Sequence, residues 1–218
     1  MQQYKVHSLT VGPIATNCYI IETEERIGII IDPGYDAQAI IARMEDLKIV
    51  PRYILCTHGH FDHILAIPDI RDHYDKKQIP VEIVIHSMDK DYIGKNALIR
   101  HQRDLAGVGG LAFLERFPRQ FPEASRIVEE GDRIGPFTVL HLPGHTPGSA
   151  AYFDEHRGII FTGDTLFSGG VGRTDLPGGD EIALQASLRR LYGLPGSTRV
   201  YSGHGSETRI ERERPRHH

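Results

Sequence analysis

The order of apolar and polar segments in this chain predicts an α+β fold: two β-sheets packed face to face with helices outside each, a four-layer αββα sandwich. Three observations predict it. In the first half, short strand-like runs alternate with stretches of helical spacing. In the second half, strand-like runs follow one another almost without interruption. One run, 27–31, is continuously apolar, as expected of a central strand covered on both faces.

Each element has its own justification. Residues 4–11 and 17–22 are read as paired strands around the Gly12-Pro13 turn, and Glu24-Glu25-Arg26 as the turn leading into the strand 27–31. Asp32-Pro33-Gly34 ends that strand. Residues 36–47 are helical, with Ile40, Ile41, Met44 and Leu47 on one face. A strand at 53–56 and a short helix at 64–71 follow, then a buried strand at 81–85. The stretch 88–133 mixes helix and loop. Within it, 91–123 is apolar in places (Leu105, Leu111, Phe113, Leu114, Phe117, Phe121), which suits a pocket wall, a contact between copies or, at least equally, ordinary core. Later strands are expected at 137–142, 150–153, 158–162 and 199–201. A helix at 182–191 places Ile182, Leu184, Leu188 and Leu191 toward the core. No tandem repeat or low-complexity linker interrupts the chain, so residues 1–208 are expected to form one domain, with a charged, frayed tail at 209–218.

Composition narrows the function classes. Of the 218 residues, 39% are hydrophobic and 25% charged, as in ordinary soluble domains. A net charge of −4 gives no electrostatic case for nucleic-acid or membrane partners. Cys18 and Cys56 do not form a disulfide framework, and Cys56, closing an apolar strand, reads as a buried thiol. The first twelve residues lack the basic and apolar regions of a signal peptide, and no run is long enough to span a bilayer. A cytoplasmic location is the expectation; the oligomeric state is left open.

The segment Thr57-His58-Gly59-His60-Phe61-Asp62-His63 carries the chemistry. It leaves the strand 53–56 on a loop, where side chains can converge on an ion. By residue frequency, such a His-x-His-x-Asp-His pattern arises by chance in about 3 per thousand chains of this composition. Three further strand-like runs end the same way, at a glycine that presents one donor: Pro143-Gly144-His145-Thr146-Pro147-Gly148, Gly163-Asp164-Thr165 and Gly203-His204-Gly205. The donors are therefore His58, His60, Asp62, His63, His145, Asp164 and His204. A single catalytic ion usually takes three protein ligands and a water, so seven donors suit two ions sharing a carboxylate. Imidazole and carboxylate serve zinc, iron, manganese or nickel.

These motifs resemble the metallo-β-lactamase-fold superfamily, and within it the glyoxalase II-like (hydroxyacylglutathione hydrolase-like) proteins. The match runs from Asp32 to His204. The resemblance implies the metallo-β-lactamase fold and a dinuclear site. His58, His60 and His145 would hold the first divalent ion, Asp62, His63 and His204 the second, and Asp164 would bridge them. Zinc is the first choice, with iron or manganese as alternatives. Asp32 matches a residue that stands behind the ligands and orients them. In this family the loop after the bridging Asp contacts glutathione through a basic residue and a tyrosine. Arg173 matches the basic position, as a substrate-carboxylate anchor, whereas Asp175 stands in place of the tyrosine. The chain also stops soon after His204, which suits the short single-domain branch.

The implied reaction is attack of a metal-held hydroxide on the carbonyl of a thioester such as S-D-lactoylglutathione, with Asp62 and Asp164 at the reacting centre. A thiolate is a good leaving group, and no serine nucleophile elbow is present. Other readings compete: a mononuclear-iron persulfide dioxygenase, using a subset of His58, His60, His145 and Asp164; a lactone or β-lactam hydrolase on the same fold; and a non-catalytic metal protein, against which the open, oversized donor set argues. A nuclease role lacks a basic, aromatic surface. His7, His73, His101 and His156 have no matching exit motif and are read as structural, as are His86 and His141, near the site. The terminal His217-His218 pair is excluded from the site.

Overall fold

A computed structural model describes residues 5–23, 27–107, 109–116 and 120–215. The turn expected at Glu24-Glu25-Arg26, the residue Phe117 and the pair His217-His218 lie outside the described residues, as does the side chain of Phe113. The chain opens with an antiparallel hairpin, β1 (Lys5–Val11) and β2 (Thr16–Glu22), which β3 (Ile27–Ile31) extends. Helix α1 (Ala37–Asp46) then crosses to β4 (Val50–Leu55), parallel to β3. Two helices follow, α2 (Phe61–Ile64) and α3 (Ile67–Lys76), then β5 (Glu82–His86). The expected single helix at 64–71 is thus two pieces. The first begins inside the histidine loop, and the second starts with Pro68 in its first turn, where a missing N–H costs nothing.

The poorly patterned stretch resolves into short 3₁₀ turns at Ser87–Tyr92, Gly94–Asn96 and Gly110–Arg116, with helix α4 (Ala97–Ala106) among them. It ends in β6 (Arg126–Val128), which closes a six-stranded sheet of order β1-β2-β3-β4-β5-β6. The rest of the chain builds the second sheet. Its strands are β7 (Arg133–Ile134), β8 (Phe137–His141), β9 (Ala150–Asp154), β10 (Ile159–Gly163), β13 (Arg199–Ser202) and β14 (Thr208–Arg209), in the order β14-β13-β10-β9-β8-β7. Between β10 and β13 come the small hairpin β11 (Leu166–Phe167) and β12 (Gly170–Val171) and helix α5 (Glu181–Tyr192). The chain then turns into α6 (Ile210–Glu213).

Three apolar clusters show the four layers. Between the sheets, Ile29, Ile31, Leu55 and Val84 meet Phe137, Tyr152 and Phe161. Ile30, Ile54 and Ile83 face the other way and pack against Ile40, Met44, Ile67 and Ile70 of α1 and α3. On the far side Ile160 and Val200 pack against Leu184, Leu188 and Leu191 of α5. The alternation along β3 feeds two cores at once, which is why its sequence is apolar throughout. Two expectations change. Ile182 is 82% exposed rather than part of the α5 core face. The tail expected to fray from Arg209 is instead built into the fold at its start: Arg209 pairs with Arg199, and Ile210 is fully buried.

Candidate metal centre

All four glycine-marked exits open at the same edge of the sandwich. Leaving β4, the chain is held by a bond from the Cys56 N–H to the Val84 carbonyl (2.9 Å), and the Ala150 N–H donates to the Thr57 carbonyl (2.8 Å), tying the first sheet to the second. From there His58 and His60 lie on the loop, and α2 carries Asp62 and His63. His145 lies between β8 and β9, Asp164 just past β10 and His204 just past β13. Two glycines permit this crowding. A side chain at Gly34 would run into the Asp62 carbonyl, and one at Gly203 would run into the Asp164 carboxylate and the His63 ring.

The predicted donors converge in two groups. The ligand atoms of His58, His60 and His145 lie within 4.8 Å of one another, as do those of Asp62, His63 and His204. Asp164 stands between the groups: its Oδ2 is 3.6 Å from His145 Nε2 and 3.5 Å from His204 Nε2, and its Oδ1 is 3.4 Å from His63 Nε2. His204 Nε2 also approaches Asp62 Oδ2 at 3.3 Å, and Thr16 donates its hydroxyl to that same oxygen (3.1 Å).

Buried polar atoms normally have partners. Here His58 Nε2, His63 Nε2, His145 Nε2 and Asp164 Oδ1 are buried without a hydrogen bond, all pointing into one space. That concentration of orphaned donor atoms fits a pair of metal ions. Electrostatics fits as well. Burial, and then the neighbouring imidazoles, push the pKa values of His58 and His60 well below the usual histidine range, so both rings are neutral with lone pairs free. Burial acts the opposite way on Asp62, but His63 and His204 hold its carboxyl well below the ordinary value, keeping it ionised. At His63 burial is outweighed by Asp62, Asp164 and Asp32, which raise its pKa and favour positive charge at the spot where a cation would sit.

The groups behind the donors are equally defined. Asp32 accepts from the Thr57 N–H (2.7 Å) and the Thr57 hydroxyl (2.6 Å), and its Oδ2 meets His63 Nδ1 at 3.0 Å. With Nδ1 on Asp32, His63 turns its Nε2 toward Asp164. His145 is oriented by main chain: its Nδ1 meets the Arg173 carbonyl oxygen at 2.8 Å. The Arg173 guanidinium itself lies against Asp175, with two bonds of 2.6 Å.

One contributor escaped sequence reasoning. Asp89, fully buried, accepts from the Gly59 N–H (2.9 Å), the Thr146 hydroxyl (2.7 Å) and the Gly148 N–H (2.8 Å). It clamps together the two loops that carry His58, His60 and His145. Burial raises its pKa, countered by these three bonds. Its position in a stretch without a clear pattern concealed it. The histidines read as structural stay outside both groups. His86 stacks on His141 with ring centres 4.1 Å apart, and His141 Nε2 meets the Pro147 carbonyl oxygen at 2.8 Å. His101 is outside both groups but lines the cavity above them, its Nε2 3.2 Å from the Tyr92 carbonyl oxygen.

A cavity of about 550 Å³ opens onto the cluster. His60, Asp62, His145, Asp164 and His204 form its floor; Ile14, Phe61, Leu105, Phe167 and Leu176 form apolar walls; Arg173 lies at its rim. Leu105 answers for part of the stretch 88–133, which supplies both pocket wall and core. Cys18 and Cys56 are both free thiols and fully buried. Among the described residues, no helix is long and apolar enough to cross a membrane.

Comparison with known proteins agrees with this geometry. Residues 11–204 match the metallo-beta-lactamase superfamily. Hydroxyacylglutathione hydrolase GloC of Haemophilus influenzae is 36% identical over 213 residues, covering 96% of this chain and 94% of its own. Among solved structures, TTHA1623 in a di-iron-bound form is similar at 38% identity and a TM-score of 0.80, over 95% of this chain and 96% of that one. The BLEG-1 B3 metallo-beta-lactamase is similar at 35% identity and a TM-score of 0.81, over 97% and 96% of the two chains. The match spans every strand end that delivers a donor, and with it the chain belongs to the metallo-beta-lactamase superfamily, as one of its metallo-hydrolases.

Proposed function

We propose that the protein hydrolyses thioesters, with glutathione thioesters such as S-D-lactoylglutathione as substrates. The observation that carries this reading is the pair of donor triads joined by Asp164 on the floor of one cavity. His58, His60 and His145 would hold one divalent ion and Asp62, His63 and His204 the other, with Asp164 available to both. Zinc suits all seven donors, and iron and manganese are served by the same set. Two such ions supply a water acidified toward neutral pH and Lewis-acid polarisation of a carbonyl.

The remaining work falls to the chain. Asp32 keeps His63 turned toward the centre, and the Arg173 carbonyl does the same for His145. Asp62, held by Thr16, stays an ionised ligand. The apolar walls exclude bulk water from the acyl group, and Arg173 at the rim would meet a carboxylate of the thiol portion in exchange for Asp175. A thiolate leaves readily, so no dedicated proton donor is required at sulfur. The likeness to GloC, named for hydrolysis of a hydroxyacyl-glutathione, supports the substrate class.

The likeness to BLEG-1 supports a second reading, β-lactam hydrolysis at the same centre. The test is turnover of S-D-lactoylglutathione by purified protein of measured metal content, beside a β-lactam. Thioester hydrolysis proportional to metal content, and reduced roughly 100-fold or more in Asp164→Ala, is the expected result. Absence of thioester turnover at full metal loading, with β-lactam cleavage present, would replace the first reading by the second.

A further inference from the structure

The rim of the cavity carries an ion pair with a consequence for substrate choice. Among the described residues, Arg173 is the one lysine or arginine that lines the cavity. Its guanidinium is already engaged: Nε donates to Asp175 Oδ1 and an Nη donates to Asp175 Oδ2, both at 2.6 Å. That is the fork-on-carboxylate geometry with which arginine recognises a carboxylate on a ligand. Asp175 therefore occupies, from within the chain, the place that a substrate carboxylate would take.

Two further observations bear on how the pair responds to a ligand. Both side chains are exposed, Arg173 at 58% and Asp175 at 65%, so their attraction is screened and worth little by itself. An incoming carboxylate can exchange with Asp175, but gains only the difference between two similar ion pairs. The backbone of Arg173 is tied to the centre through His145, which keeps the root of its side chain beside the cavity. Among the described residues, the cavity offers no other lysine or arginine as a replacement cation. Asp104 lines it, with Arg100 and Arg103 turned onto that carboxylate at 2.8 and 3.4 Å.

We infer that Asp175 is a specificity-determining residue that competes with the substrate's carboxylate for Arg173, and so lowers the site's preference for anionic thioesters over uncharged ones. The inference rests on the thioesterase reading and adds a direction to it. Glutathione thioesters are accepted, but without the full advantage their carboxylates would otherwise confer. Uncharged thioesters with an apolar remainder are accepted nearly as well, held by the walls at Phe61, Leu105 and Phe167.

The experiment compares KM and kcat for S-D-lactoylglutathione and for the uncharged lactoyl thioester of N-acetylcysteamine. It uses metal-loaded wild type, Asp175→Asn, Asp175→Ala, Arg173→Met and the double variant Arg173→Met/Asp175→Asn. Both substitutions at Asp175 should lower KM for the glutathione thioester, relative to the uncharged one, by roughly two- to fivefold, the range an exposed ion pair is worth. The gain should vanish in the double variant, because it requires the freed guanidinium. An unaltered KM ratio in both Asp175 variants overturns the inference. So does a parallel change for the two thioesters, or a gain that survives loss of Arg173, because either marks a general effect on the loop. Wild-type turnover of neither thioester brings down the thioesterase reading itself, and the inference with it; that outcome is distinct from turnover with an unaltered ratio.

Discussion

Single carboxylates decide how this centre is held. Asp32 and Asp89 both sit behind the histidines, yet they act on different halves. Asp32 orients His63 and pins Thr57, whereas Asp89 ties the loop of His58 and His60 to the loop of His145. Replacing Asp89 by alanine leaves two buried N–H groups and one hydroxyl without their acceptor, at a cost of roughly 3 kcal/mol or more. Asp89→Asn keeps the shape but turns one acceptor into a donor facing a donor, so a smaller loss is expected. Both variants should lose metal from the triad His58, His60 and His145 before the other, measured as a drop in bound metal per chain alongside the urea midpoint. Asp89→Asn protein with wild-type metal content and midpoint would show that the clamp is dispensable.

At the scale of the element, α5 shows how a helical pattern can mislead at its end. Its core face is Leu184, Leu188 and Leu191, each buried in the outer cluster over Ile160 and Val200. Ile182 has the right residue type but belongs to the first turn, where Asp180 caps the helix by accepting from the Ala183 N–H at 2.9 Å. At about 100° per residue Ile182 also lies on the far side of the helix from Leu184, which is fully buried in the same turn. Ile182→Lys should change stability by less than about 0.5 kcal/mol. Leu188→Ala should cost about 2–5 kcal/mol through the cavity it leaves. Equal losses in a denaturant titration of the two variants would contradict this placement.

For the molecule as a whole, stability should depend on pH through histidines buried neutral. At His101, on the cavity wall, burial pushes the pKa down to about 4 from the ordinary 6.5. The unfolded chain therefore binds a proton at this residue at pH values where the folded chain does not. The stability it contributes is complete above about pH 6.5 and is lost as pH falls through 4, by at most about 3 kcal/mol. His101→Gln should flatten the fall in unfolding free energy between those pH values relative to wild type. Identical slopes would show that His101 takes up its proton in the folded protein as easily as in the unfolded one.

Much of this was legible before any coordinates. Strand exits are readable because an apolar run followed by glycine and one polar donor recurs three times, beside a fourth exit that carries His58, His60, Asp62 and His63 together. The two-sheet sandwich was readable because β3 is apolar on both faces while later strands crowd together. Asp89, α4 and the short turns around it were not readable. The buried face of α4 has helical spacing, but two of its four residues, His101 and Asp104, are polar and hide it, and Asp89 depends on partners 30 or more positions away, Gly59 and Gly148. The same holds for Arg173: its type suggested a ligand, but only the fold shows its carbonyl on His145 and its guanidinium on Asp175. Sequence by itself determined which donors this protein has and that they leave strands, because donor chemistry and backbone period are local properties. How closely the two groups of donors approach one another, that Asp89 ties their loops together and that the Arg173 guanidinium is already taken by Asp175 were decided only by tertiary structure, because each is a distance that the fold, not the local pattern, sets.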